Sequence, residues 1–201
     1  MGVSDDQEAL SQLKAGVGWK NRYLFVRESC GGGNAWRCNV DHIFRVNGDR
    51  LVELGVIFAH PESRDAGSGY GEGYFRDVYN KLEMNSITSH AAAPGFWVWL
   101  KEKNGRLVAD LGRTWRENAA WYAERVEKYR KRLGRGRLTE EEMEDVGAAL
   151  LFNAALARYC GRMAEEREAL KAAERLFDVK TLRSFRNDLA IVKPGELPGS
   201  S

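Results

Sequence analysis

Cysteine and histidine are scarce in this chain, three of each in 201 residues, and the scarcity limits its chemistry. Three cysteines cannot build a multi-disulfide scaffold. A structural zinc site normally pairs its ligands at close spacing. Here Cys30, Cys38, His42 and His60 stand too far apart for that pattern, so no metal is expected. No apolar run approaches the ~20 residues that span a bilayer, so no membrane insertion is expected. The start, MGVSDDQEAL, lacks a basic region followed by an apolar block. No signal peptide is read there, and an exported mature form and a cytoplasmic one both stay open. Motifs are lacking as well: GxSxG, HExxH, DxD and Walker-type patterns do not occur, and no cofactor is expected. The formal net charge of +2 gives no global field, so any electrostatic role must come from local clusters.

Hydrophobic residues make up 43% and charged residues 30%, the balance of a soluble globular protein rather than a disordered tail. At this length one core can bury roughly 70% of the unfolded surface. The expectation is a single domain over 1–201. Residues 16–112 are read as mainly antiparallel sheet, with a long Gly-rich loop at 59–73, and residues 114–190 as mainly helical.

Ser4 with Gln7 forms a capping-box pattern ahead of a short helix through Leu13. From Arg22 the period becomes two: RYLFVRES, RCNVDHIFRV and LVELGVIF read as three strands of a meander. Setting Cys30 opposite Cys38 places Val26 against His42 and Leu24 against Phe44. A three-residue turn at Asn47-Gly48-Asp49 then places Val52, Leu54 and Val56 against Phe44, His42 and Val40. One face becomes Leu24, Val26, Val40, Phe44, Val46, Val52, Leu54, Val56 and Phe58, interrupted by Glu28 and His42, and is expected to face the core. Tyr74, Phe75, Val78, Tyr79 and Leu82 are spaced for a short helix. PGFWVWLKEK, NG and RLVADLG read as a second hairpin with a favoured two-residue turn.

After Gly112 the pattern turns helical. Thr114 with Glu117 reads as a capping box, followed by a stripe through Trp115, Ala119, Tyr122, Val126, Tyr129 and Leu133. Thr139 with Glu142 caps a second helix running to about Phe177, with a break expected near Gly161. LRSFRNDLAIVKP reads equally as a helix or an edge strand. The fold class is α+β: an antiparallel meander plus a second β-hairpin, covered by a C-terminal helical hairpin.

The candidate sites follow from this frame. Cys30 and Cys38 flank a Gly-rich hairpin tip and are the disulfide candidate, worth ~2–3 kcal/mol in an oxidising compartment; two free thiols are the alternative. The tip carries Asn34, Trp36 and Arg37, and Trp36 either anchors a partner or folds back on the sheet. Tyr70 and Tyr74 border the 59–73 loop. Arg130, Lys131, Arg132 and Arg135 belong to a basic ridge over 125–137, which reads as a weak nucleic-acid binder or a solvated helix end. Cys160, among alanines and glycines, reads as an inert thiol. No catalytic set is marked. His42 with Glu28 is the nearest approach to one, and a backbone-bonded boundary histidine is the plainer reading. The function expected is a non-catalytic binding or inhibitor-type module engaging a protein partner through hairpin and loop tips. A small hydrolase or transferase using His42 with a loop nucleophile is the alternative, and weak nucleic-acid binding through the ridge comes third.

Overall fold

The structure is a computed structural model and describes residues 16–20, 22–29, 39–58, 74–79, 81–84, 87–88, 94–133 and 138–198. The fold is α+β. Strands β1 (Gly16–Lys20), β2 (Tyr23–Ser29), β3 (Asn39–Asn47) and β4 (Arg50–Phe58) form an antiparallel sheet in the order β1-β2-β3-β4. Strands β5 (Tyr74–Tyr79), β6 (Phe96–Lys103) and β7 (Arg106–Ala109) form a second sheet in the order β5-β6-β7. Four α-helices complete the described chain: α1 (Leu111–Arg130), α2 (Glu140–Tyr159), α3 (Met163–Leu176) and α4 (Val179–Ala190). The helix expected from Ser4 to Leu13 lies outside the described residues. Two compact units divide the chain, one of Met1–Asp77, Trp99–Val108 and Pro198–Ser201, the other of Val78–Val98 and Ala109–Leu197.

In the first unit, β2 and β3 pair as the alternation requires, Leu24 opposite Phe44 and Val26 opposite His42. The β3–β4 register departs from expectation twice. Asn47 lies opposite Arg50, so the turn has two residues, Gly48 and Asp49, rather than three. A bulge between Ile43 and Phe44 then adds a residue: Phe44 faces Glu53, Ile43 faces Gly55, and Leu54 is the extra position. His42 therefore meets Val56 and Val40 meets Phe58. Strand β1 was not foreseen, because GVGWK is short and its alternation rests on Val17 and Trp19 alone.

Gly55 is what the bulge demands. Its φ of +147° lies where side-chain-bearing residues are rare, and a Cβ there would stand 3.3 Å from Leu107 Cδ1. Gly55→Ala should therefore cost about 1–3 kcal/mol, read as a lower urea midpoint at constant m-value. An unchanged midpoint would mean that the bulge relaxes at no cost.

The larger correction concerns which face is buried. The inner face carries Tyr23, Phe25, Ile43 and Ile57, and Phe75 rests edge-on against Tyr23 at 5.2 Å and tilted against Phe25 at 6.1 Å. Glu102 accepts the Tyr23 hydroxyl at 3.0 Å and an ion pair from Arg45. The set expected to face the core lies mostly on the other side. Val26, Val40, Phe44, Val46 and Phe58 are only half-buried and Val56 is exposed, while Leu24 is buried; Leu51, not part of that set, is exposed on the same side. Of that set, Val52 pairs with Arg45 on the inner side and Leu54 is buried in the bulge. What misled the pattern is ionic. Arg27 and Asp41 face each other across β2 and β3 and neutralise each other inside, with Nε–Oδ1 at 2.6 Å and Nη2–Oδ2 at 2.7 Å. A face bearing two charges reads as solvent in a period-two pattern, although a mutually bonded pair can be buried.

The segment expected as a helix from Tyr74 is strand β5 as far as Tyr79, followed by a 3-10 turn at Lys81–Met84. Phe75, Asp77 and Tyr79 are buried at period two, which the four-and-three spacing of the same short run had masked. Pairing with β6 decides between the two periods.

In the second unit, Phe96 is the centre of an aromatic cluster. It stacks on Tyr79 at 4.8 Å and meets Tyr159 and Phe152 edge-on at 5.5 and 6.1 Å. Helix α1 starts earlier than expected: the Asp110 carboxylate caps it by accepting from Arg113 N at 3.1 Å, while Thr114 is a buried interior residue. Thr139 and Glu142 form the expected capping box, with contacts of 3.2 and 3.1 Å. Arg132 meets Glu142, Lys128 meets Asp145, and Asn153 donates to the Tyr122 carbonyl, so α1 and α2 run antiparallel as a hairpin. Gly161 at φ +70° breaks α2 from α3. Asp178 caps α4 through Thr181 N at 2.7 Å, making the C-terminal segment a helix and not a strand.

Candidate functional site

The outer face of the meander is an ordered array. Across β2, β3 and β4 its rows are Leu24–Phe44–Glu53, Val26–His42–Val56 and Glu28–Val40–Phe58, with Val46–Leu51 beyond the bulge. Strand parity puts each row on one side; the two-residue turn sets Glu53 opposite Phe44 on this side, and the bulge returns Val56 and Phe58 to it. His42 sits at the centre. Its Nε2 lies 3.3 Å from Glu28 Oε1 and its Nδ1 3.6 Å from Glu53 Oε1. A polar diagonal thus crosses an apolar field. The imidazole is 26% exposed, so it belongs to a surface rather than a core. Nε2 itself is shielded and makes no hydrogen bond of good geometry among the described residues. Around the diagonal, Leu51 is 56% exposed and Val56 37%.

A carboxylate beside an imidazole is half of an acid–base arrangement. The nucleophiles considered from sequence, Cys30, Cys38 and the loop serines, lie outside the described residues, as does the disulfide candidate Cys30–Cys38. Asn34, Trp36, Arg37, Tyr70 and Arg135 also lie outside them, so the hairpin tip and the loop before β5 add nothing to this geometry. Tyr74 is described, exposed at the start of β5. Among the described residues no three His, Cys, Asp or Glu side chains are grouped to hold a metal ion. No helix there is long and apolar enough to cross a membrane.

Among its described residues the basic ridge is largely neutralised in place. Arg130 pairs with Glu168, Arg132 with Glu142, Lys128 with Asp145 at 2.9 Å, and Lys131 with Glu127 at 3.6 Å. Arg125 lies over the buried Phe152 ring at 4.1 Å, and burial pulls its guanidinium below the usual value. Two of these pairs tie α1 to other helices, and Arg132, just past its end, reaches α2. Among its described residues the ridge is thus mostly helix-to-helix bonding rather than a row of free cations for phosphates. Cys160, half-buried and free, has its thiol pushed up to about 12 by burial, which keeps it out of the reactive thiolate form.

Sequence had pointed to His42 and Glu28, and the structure brings these two together. Glu53, Arg27 and Asp41 were missed. The last two had a signal: the register that pairs Val26 with His42 also sets Arg27 directly opposite Asp41, and opposite charges at a cross-strand pair attract. Against known proteins, no family model, curated protein or solved structure matches the chain.

Proposed function

We propose that the chain is a non-catalytic binding module for a partner protein, and that it offers the outer face of the meander. The observation that supports this is the exposure of Leu51 and Val56 on the face that also carries half-exposed Val26, Phe44, Val46 and Phe58. Single exposed apolar residues are ordinary, whereas contiguous ones with a polar accent mark interaction sites. Glu28 and Glu53 flank the centre, so the fitting partner presents apolar side chains with a cation opposite one of these carboxylates. Such a face works by burial for affinity and by the charged diagonal for register.

The test replaces Leu51 and Val56 by Asp together, with a photo-crosslinker at position 26 reporting the complex. Both replaced side chains are exposed, so the melting temperature should stay within a degree or two. Crosslinking to a discrete partner should fall at least about tenfold, as desolvating a charge at the centre of an interface requires. A partner captured equally by the variant would overturn the proposal, and so would a melting temperature lowered by ten degrees. A dimer that dissociates in the variant would replace the partner with a second copy of the chain.

One observation favours a second reading. Carboxylates lie beside both nitrogens of His42; one can orient the imidazole, and displacement of the other by a substrate would free a general base, as in a small hydrolase or transferase. An activity lost in His42→Gln but kept in Leu51→Asp/Val56→Asp would support that reading over the first.

A further inference from the structure

The ends of α1 and α3 enclose a cleft of about 270 Å³ in the second unit, bordered by Tyr129, Arg130, Glu168, Lys171, Ala172 and Arg175. We infer that this cleft is a binding site for a phosphate group. Lys171 and Arg175 stand four residues apart on α3, so they project from one helix face. Like charges at that spacing repel, and among the described residues neither has an ion-pair partner. Many cations of the same unit do have one: Arg130, Arg132, Arg158, Arg186, Lys128 and Lys131 each meet a carboxylate. Uncompensated cations are ordinary on a convex surface. Two on the wall of a small cleft concentrate positive potential inside it.

The remaining walls complete a donor set. Arg130 gives one nitrogen to Glu168, and a guanidinium has five N–H donors. With Arg130 and Glu168 cancelling, Lys171 and Arg175 leave the cleft a formal +2, which matches a phosphate dianion. At the inner end is Tyr129, 1% exposed. Its hydroxyl lies beside Asn153 and makes no hydrogen bond of good geometry among the described residues. Burial raises its titration, and the neighbouring Asn153 amide lowers it. A fork-shaped cation and a point-charge cation on one face of α3, with the free N–H donors of Arg130 across the cleft, suit a tetrahedral oxyanion with several acceptor atoms. A planar carboxylate uses fewer of these donors. The volume admits a phosphate group with a small substituent.

The experiment titrates the intact chain with sodium phosphate, and separately with phenyl phosphate and sodium acetate, at constant ionic strength, following the melting temperature and the amide NMR signals of α3. Expected are a saturable rise of a few degrees with phosphate, a midpoint in the millimolar range or below, and saturable shifts at Lys171 and Arg175. Phenyl phosphate should saturate as well; a lower midpoint for it would identify a phosphate ester as the better ligand, and an equal one would identify the free ion. Lys171→Ala/Arg175→Ala should melt at the same temperature without phosphate, since both side chains are exposed, and should raise the midpoint at least about tenfold. Lys180→Ala/Arg183→Ala on α4, which removes the same charge elsewhere, should leave it unchanged. Phosphate also stabilises proteins by exclusion from their surfaces, a response that grows without saturating. A response of that kind only, equal in all three proteins, would overturn the inference. So would acetate saturating at the same midpoint, because the site would then be one for carboxylates.

Discussion

Asp41→Ala should lower the stability of the chain by about 3–5 kcal/mol, and Arg27→Ala by a similar amount. For a domain whose stability is of order 5–15 kcal/mol that is a large share of the total. The two side chains are among the most enclosed in the molecule, Arg27 at 4% exposure and Asp41 at 0%. They meet through two contacts of 2.6 and 2.7 Å, directly opposed across β2 and β3. Removing the carboxylate leaves a guanidinium in the interior beside Ile43 and Ile57, where it can neither lose its proton nor reach water. The loss therefore measures an abandoned charge and not the attraction of the pair. Arg27→Met/Asp41→Leu should recover most of it, because two apolar side chains leave no buried charge without its counter-charge. Urea unfolding of the four proteins closes the cycle. A cost below about 1 kcal/mol for Asp41→Ala would mean that water reaches the pair.

That pair also explains how far the fold could be read from the chain alone. Pairing of β2 with β3 followed from alternation, because a one-residue slip would have mixed apolar and polar positions on both sides. Which side faced inward did not follow. Both faces of these strands are largely apolar, and the one carrying Arg27 and Asp41 resembled a solvent face only while its charges were taken separately. The turn and the bulge at Gly55 each moved the β4 register by one residue. The turn put Glu53 on the outer face; the bulge then restored the parity at Val56 and took Leu54 away from His42. Glu28 and His42 were therefore legible as neighbours, whereas the third member of the diagonal was not. Helix ends were legible where a side chain caps its own backbone locally, as at Thr139. Thr114 with Glu117 showed the same spacing inside a helix already begun at Asp110. The cation cleft had no linear signal, since Arg130 and Lys171 are brought together only by packing.

The second large effect is expected at Asn118, a residue inside α1 that the apolar stripe of that helix does not include. Asn is a weak helix former, since its amide competes for backbone groups, so a buried one at mid-helix calls for a tertiary reason. The reason lies on β6. The Asn118 Nδ2 donates to the Trp97 carbonyl at 2.8 Å, and its Oδ1 accepts from the Trp97 N–H at 3.3 Å. One side chain thus exchanges both hydrogen bonds with one strand residue, as a neighbouring antiparallel strand would. Strand β7, only four residues long, begins at Arg106, and a hairpin that turns at Asn104-Gly105 brings so short a strand beside the last residues of β6, away from Trp97. Asn118 also donates to the Thr114 carbonyl at 2.7 Å, which holds the amide in this orientation. Asn118→Leu keeps the volume and improves helix propensity, yet removes both side-chain hydrogen bonds from the part-buried Trp97 backbone. Each buried orphan costs about 1–3 kcal/mol, so a loss of about 2–5 kcal/mol is expected despite the better helix former. Asn118→Asp keeps the acceptor and removes the donor, leaving two oxygens against the Trp97 carbonyl in place of a hydrogen bond. It should be at least as damaging at neutral pH. The check is the urea midpoint together with hydrogen exchange of the Trp97 amide, which should become fast in Asn118→Leu while the amides of α3 stay protected. If that amide remains protected and the midpoint does not move, the α1–β6 bridge carries no weight.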